Sequence, residues 1–295
     1  MTGFPASKAT TPLEALDRAR ALVRRIARAT LGSRGEGALH RGYHAVLRRS
    51  GRFAPPEDEP TLRMLRLLAK GSATILDIGA NTGRYAHDFL RVARAATRLY
   101  AFEPNPSALR LLRANLGDDP RVTIFPVALS SVPGRAALSV PLDATGNPVS
   151  ALSYLGVVSA SETTVDVELC VLDSLVSAGE VVLRPPVFVK IDVEGHEPAV
   201  LAGAASLPHA RTAIYFECQP EHLARAGSHP AALWEGLSAT GYEVIGRAAG
   251  GFRRYNQAVE GVVNYLALPR GVLPEGEIDA AEIERALSAW LEAVR

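Results

Sequence analysis

The chain has 295 residues, 47% hydrophobic and 21% charged, with a formal net charge of +1. That balance suits a globular domain able to bury a sizeable core. It gives no global case for nucleic acid, and no apolar run approaches the ~20 residues that span a bilayer.

The charge is uneven: residues 1–52 hold 11 Lys/Arg against 3 Asp/Glu, so a basic arm precedes an acidic body. Cys170 and Cys218 sit in apolar, strand-like runs and read as buried free thiols rather than metal ligands or a disulfide framework. No signal-peptide core lies near Met1, so a cytoplasmic location is the expectation. Frequent Ala and Arg fit a GC-rich bacterial source.

Residues 13–31 carry Leu13, Leu16, Val23 and Ile26 at helical spacing, with five arginines between them. Such a basic amphipathic helix can bind an anionic membrane, act as a targeting peptide, or dock on the acidic body. Short helices are expected around 39–49 and 59–69, which makes 1–70 a basic helical extension. A core domain is expected over 71–295.

From Ala73 onward, strands and helices alternate. Strands are predicted at 74–78, 98–102, 122–125, 187–191 and 212–216. Helices are predicted at 84–94, 105–116, 197–204 and 221–239. Apolar strands joined by helices of this length imply a parallel sheet with right-handed crossovers. Residues 127–171 break the rhythm with a Gly146–Asn147–Pro148 turn and an alternating run at 163–171. They read as a small antiparallel insertion over the sheet's ligand edge. Segments 242–245 and 262–268 would close the sheet as an antiparallel pair, giving seven strands with helices on both faces. The last helix carries Ile283, Leu287, Trp290, Leu291 and Val294 as a stripe that faces the core or forms a homodimer seam.

The run Ile75-Leu76-Asp77-Ile78-Gly79-Ala80-Asn81-Thr82-Gly83 is a buried strand ending in a glycine turn that opens a helix. An α/β sheet binds nucleotide-like ligands at such a turn. A pyrophosphate site wants Gly where Asn81 stands, and Asp77 would repel a pyrophosphate. S-adenosylmethionine has no phosphate. Asp77 could accept from its ammonium, and backbone N–H groups between Asn81 and Tyr85 could hold its carboxylate. Glu103, in Phe102-Glu103-Pro104, ends the next strand about 20 residues on, where an acid binds ribose hydroxyls. Ala128 and Leu129, after the third strand, would flank the adenine.

Asp192, Glu194, His196 and Glu197 follow the fourth core strand within six residues. Such a cluster at a strand's carboxyl end perturbs protonation and marks a candidate site. Asp192 would face the cofactor, and one acid or His196 would take a hydroxyl proton. Bland readings stand beside these. Glu197 could start a helix, Glu194 could satisfy turn N–H groups, and His196 could sit on the rim. Glu217 ends the next strand at the same edge, where it could also be a solvated strand end. Asp192, Glu194 and Glu217 are hard oxygen ligands, but without a ligand spacing no metal is expected.

In order along residues 73–220, the glycine turn, Phe102-Glu103-Pro104, Val189-Lys190-Ile191-Asp192-Val193-Glu194-Gly195-His196-Glu197 with Val200-Leu201-Ala202-Gly203-Ala204, and Phe216-Glu217-Cys218 resemble the FkbM family of methyltransferases. The glycine turn is shared by most class I methyltransferases, whereas the segment from Lys190 is more specific. The resemblance implies a seven-stranded class I Rossmann-like fold and O-methylation of a small-molecule or sugar hydroxyl. It implies Asp77, Gly79, Asn81, Gly83 and Glu103 around S-adenosylmethionine, and Asp192, Glu194 and Glu197 near the reaction centre. Ser130-Ser131 stands where relatives often show an acid after the serine. The rivals are a nicotinamide oxidoreductase, disfavoured by Asp77 and Asn81, and a catalytically idle interaction module, disfavoured by the intact acidic cluster.

Overall fold

The structure is a computed structural model and describes residues 42, 53–142, 152–156, 162–248, 251–275 and 278–295. The helix expected at 13–31, all but Gly42 of that at 39–49, and the turn at 146–148 lie outside the described residues. The compact body runs from Ala54 to Arg295, and Met1–Phe53 form a separate unit.

Helix α1 (Glu59–Gly71) opens the body. Its N-cap Asp58 accepts from Thr61 N, and Pro60 sits in the first turn, where its missing N–H costs nothing. Then follow β1 (Thr74–Ile78), α2 (Arg84–Val92), β2 (Arg98–Phe102), α3 (Pro106–Leu116) and β3 (Val122–Phe125). The interrupting region holds β4 (Ala128–Leu129), β5 (Gly134–Pro141), β6 (Tyr154–Leu155) and β7 (Glu162–Cys170). The core resumes with α4 (Leu172–Ser177), β8 (Val187–Ile191), α5 (Glu197–Ala202), β9 (Thr212–Glu217), α6 (Pro220–Arg225) and α7 (Pro230–Ala239). Strands β10 (Tyr242–Ala248), β11 (Gly251–Tyr255) and β12 (Asn264–Pro269) precede α8 (Ala280–Ala293).

The main sheet has the order β11-β10-β12-β9-β8-β1-β2-β3. Its β9-β8-β1-β2-β3 half is parallel, and β12 runs antiparallel between β9 and β10. Strands β1 and β8 are fully buried because helices cover both faces. One face packs on α1, α2 and α8 through Leu65, Leu68, Phe89, Ile283 and Leu287. The other packs on α4, α5, α6 and α7 through Leu172, Val200, Leu223 and Trp234. Strands β4-β7-β5-β6 form a second sheet, antiparallel except for the β4–β7 pair.

Three expectations are corrected. The main sheet has eight strands, because Gly251–Tyr255 hairpins onto β10; Arg253 and Arg254 disguised it, as charge does on an edge strand. The helix expected over 221–239 is two helices, since Gly227 takes φ 75° and Pro230 starts anew. The body also begins before the expected residue 71. Helix α1 belongs to it, with Met64, Leu65 and Leu68 buried against the core. The α8 stripe turns inward: Ile283, Leu287 and Leu291 are buried and Trp290 packs at their margin. Among the described residues no helix is long and apolar enough to cross a membrane.

Leu65 is fully buried in α1. Leu65→Ala should therefore cost about 2–5 kcal/mol of unfolding free energy, as large-to-small core changes do. Urea denaturation reads this directly, and a loss below about 0.5 kcal/mol, the range of surface changes, would put α1 outside the core.

Candidate active site

The carboxyl ends of β1, β2 and β8 meet the second sheet around a cleft with a cavity volume of about 70 Å³. The floor is Gly79, Asn81, Glu103, Asp192, Glu194 and His196. The walls and roof are Pro104, Ala128, Leu129, Leu138, Tyr154 and Leu155, the last five from the second sheet. Among the described residues lining it, three are carboxylates and none is Lys or Arg.

The glycine turn is shaped by close approach. Gly79 takes φ 74°, and a Cβ there would lie 1.9 Å from Asp192 O. Its N–H and that of Ala80 both donate to Phe102 O at 3.0 Å. Glu103 then fixes the next residue: Asn81 N donates to one carboxylate oxygen (2.7 Å) and Asn105 N to the other (2.8 Å). Asn81 is thereby held at φ 49°, a conformation few non-glycine residues adopt. Burial pushes the Glu103 carboxyl up to about 7, against the pull of those two N–H groups.

Asp77 is wholly buried and does not line the cleft. It faces Lys190, its register partner on β8, with Nζ 3.3 Å from Oδ1, and it accepts from Ala86 N at 3.2 Å. Lys190 is only 2% exposed, yet its ammonium is held. It donates to Gly79 O (2.8 Å) and lies 3.4 Å from Asp192 Oδ2 and 5.0 Å from the Tyr85 ring centroid. Burial works against the Lys190 charge, but Asp192 and Asp77 outweigh it and raise its pKa. Burial meanwhile pushes the Asp77 carboxyl up against the pull of Lys190. We read the pair as ionised, since two carboxylates and a carbonyl surround the ammonium. Sequence reasoning missed Lys190, although a lone lysine in Val-Phe-Val-Lys-Ile was its signal.

Other predicted residues fall away from the cleft. Glu197 is buried and its Oε1 accepts from Val193 N (3.0 Å) and Gly195 N (3.3 Å), so it braces the turn that Glu194 was a candidate to brace. Tyr85 sends its hydroxyl to Glu57, which it donates to. Ala80 is buried, and Gly83 donates to Ala80 O. Of the N–H groups expected to hold a carboxylate between Asn81 and Tyr85, those of Asn81 and Gly83 are engaged internally. His196 lines the cleft, its Nε2 3.0 Å from Ser130 Oγ, and burial lowers its pKa, so it is neutral at pH 7.

Beyond Glu194 lies a group that spacing did not flag. Glu194 Oε2 sits 2.8 Å from His222 Nδ1, which is 3.5 Å from Glu217 Oε2. Glu194 takes φ 57°, and the adjacent Gly195 has its Cβ position 2.2 Å from His222 O, so the turn presses on α6. Burial, Glu217 and Asp192 push Glu194 up to about 8. Burial and Asp192 raise Glu217, whose other oxygen accepts from Gln219 Nε2 at 2.8 Å. Burial and Arg225 lower His222.

Two predictions follow from this wiring. Lys190→Met leaves Asp77 buried and unpaired and should cost about 3–5 kcal/mol in denaturant unfolding, part of it returned by adding Asp77→Asn. Strictly additive variants would refute the coupling. Glu103 holds its proton to about 7 when folded but only to its ordinary 4.5 when unfolded. Between those values the folded state binds more protons, so this group lowers stability as pH rises through the window. Glu103→Gln should flatten that decline by on the order of 3 kcal/mol; parallel stability curves from about pH 4.5 to 7 would contradict it.

The matching family model is the methyltransferase FkbM domain, over residues 77–244. The 2-O-methyltransferase NoeI of Sinorhizobium fredii is 41% identical over 73 residues, 25% of this chain and 30% of its own length. The hexuronic acid methyltransferase AglP of Haloferax volcanii is 30% identical over 146 residues, 50% of this chain and 56% of its own. The chain thus spans about a third to just over half of these relatives' length. A solved O-methyltransferase of Bacillus cereus in complex with SAH matches with TM-score 0.42 and 14% identity, over 84% of this chain and 97% of that one. With the family model covering more than half of the sequence, from Asp77 through β9 and into β10, the chain belongs to the FkbM methyltransferase family.

Proposed function

We propose that this protein is an S-adenosylmethionine-dependent O-methyltransferase whose acceptor is a hydroxyl on a sugar or similar small molecule. The observation that carries the reading is the buried Glu103 carboxylate lining the cleft beside Asp192. The residues fit the cofactor. Glu103 keeps lone pairs for ribose hydroxyls, and Ala128, Leu129 and Leu138 offer an apolar wall to an aromatic base. Asp192 sets negative potential where an ammonium and a sulfonium would lie. An acidic lining without Lys or Arg suits a pyrophosphate poorly, which disfavours a nicotinamide cofactor.

When bound, S-adenosylmethionine supplies an electrophilic methyl group. The protein's share is positioning and proton handling. Asp192, half-exposed and tethered by Lys190, accepts a hydrogen bond from the acceptor hydroxyl and takes its proton. His196 stands neutral beside it as a second polar contact. Glu197 and Asp77 hold the backbone and charge framework behind them. The names of the relatives, a 2-O-methyltransferase and a hexuronic acid methyltransferase, support a sugar as acceptor.

Calorimetry should show S-adenosylhomocysteine binding and no NAD binding; tight NAD binding alone would sink the reading. Glu103→Ala should weaken the S-adenosylhomocysteine complex by about 1–3 kcal/mol. Asp192→Asn should cut turnover on a sugar-acceptor panel about 10²–10⁴-fold, the typical worth of a general base, and far more than it weakens that complex. Unchanged turnover would remove Asp192 from the chemistry.

A further inference from the structure

Glu194, Glu217 and His222 come from three segments: the turn after β8, the end of β9 and helix α6. Their ligand atoms, one from each side chain, all lie within 4.8 Å of one another. Glu194 Oε2, Glu217 Oε2 and His222 Nδ1 are each shielded from solvent, and none makes an aligned hydrogen bond. The short Nδ1 to Oε2 approach is close in distance and poor in angle. Three orphaned buried atoms in one spot call for a partner, since such groups are rarely left unsatisfied. Two are carboxyl oxygens with only an imidazole between them, and the nearby Arg225 is engaged over the Tyr154 ring.

We propose that Glu194, Glu217 and His222 bind one divalent cation at the end of the cleft. The spacing suits it. Ligand atoms about 2.1 Å from a common ion sit about 3.0–3.4 Å apart at octahedral or tetrahedral angles. Two of the three separations, 2.8 and 3.5 Å, bracket that range, and the third is no more than 4.8 Å. Two carboxylates and one imidazole suit Mn²⁺ or Zn²⁺ better than a thiophilic or an all-oxygen-loving ion. Three protein ligands leave coordination positions open, as catalytic sites do. Of the three ligands, Glu194 is the one among the cleft-lining residues, so the cleft is joined to these open positions through it. On the methyl-transfer reading, which this role rests on, they orient an acceptor oxygen and lower its pKa before the proton leaves to Asp192.

The test uses the full chain, stripped of metal by chelation and titrated with MnCl₂ while free Mn²⁺ is followed by electron paramagnetic resonance. ZnCl₂ is tested in parallel by calorimetry. Saturable binding of one ion per chain is expected. Glu217→Gln and His222→Gln should each weaken it at least about tenfold, while Glu221→Gln, an exposed acid on the same helix, should leave it unchanged. Circular dichroism checks that each variant is folded. No saturable binding of either ion below about 1 mM, or equal affinity in all three variants, would overturn the site. S-adenosylhomocysteine calorimetry on the stripped protein separates the two readings. Cofactor binding without metal binding keeps the methyltransferase and removes the metal site. Metal binding without cofactor binding keeps the site and removes its role.

Discussion

The buried contact between Lys190 and Asp77 is the constraint on which the rest of the site depends. The two residues face each other in register on the fully buried central strands β1 and β8. A buried ion pair brings little net stability, because desolvating two charges is costly. What this one brings is position. The same ammonium donates to Gly79 O and approaches Asp192 Oδ2, so one buried charge ties the glycine turn to the acidic turn. The gap between β1 and β8 is thereby set at the point where the sheet opens into the cleft. Asp192, the accessible carboxylate, inherits its orientation from a lysine no ligand could touch.

A second consequence concerns what the cleft can bind. The glycine turn of an α/β sheet usually offers free N–H donors. Here Phe102 O, Glu103 and Ala80 O take those of Gly79, Ala80, Asn81 and Gly83. What remains is chiefly acceptor capacity on Glu103, Asp192 and Glu194. Such a surface favours ligands rich in donors or positive charge: ribose hydroxyls, an ammonium, a sulfonium, a metal ion.

The parallel strands were legible in the sequence because their apolar runs are uninterrupted, and Glu103 and Asp192 because an acid at the end of a buried strand has few structural uses. Asp77 and Glu197 were legible as important but not as hidden. Sequence spacing places a carboxylate at an edge; only the packing decides whether it turns to solvent, to a neighbouring strand, or back to its own turn. Lys190 completes Asp77 from more than a hundred residues away, and His222 completes Glu194 from another helix, so no local pattern could announce either pair. Arg253 and Arg254 masked the eighth strand because an edge strand carries charge where an inner one cannot. The basic helix at 13–31 falls outside the described residues and stays an expectation.

The second sheet divides the labour of the cleft. Its Leu138, Tyr154 and Leu155 form a roof that contributes shape, while the ends of β1, β2 and β8 form a floor that contributes charge. Among the described residues, two of the contacts that join them stand out. Asn105 Nδ2 donates to Ser153 Oγ at 3.0 Å, linking the roof to the start of α3, two residues past Glu103. Arg225 lies over the Tyr154 ring, 3.6 Å from its centroid, linking the roof to the helix that carries His222. Both anchors therefore sit beside residues of the floor rather than at the far side of the insertion. Through Asn105 the roof adjoins Glu103, and through Arg225 it adjoins the helix of the Glu194–His222 contact. On the proposed reading, what the acceptor touches above and what the reaction needs below are thus mechanically linked, and recognition by shape can be felt by the charged groups that handle the proton.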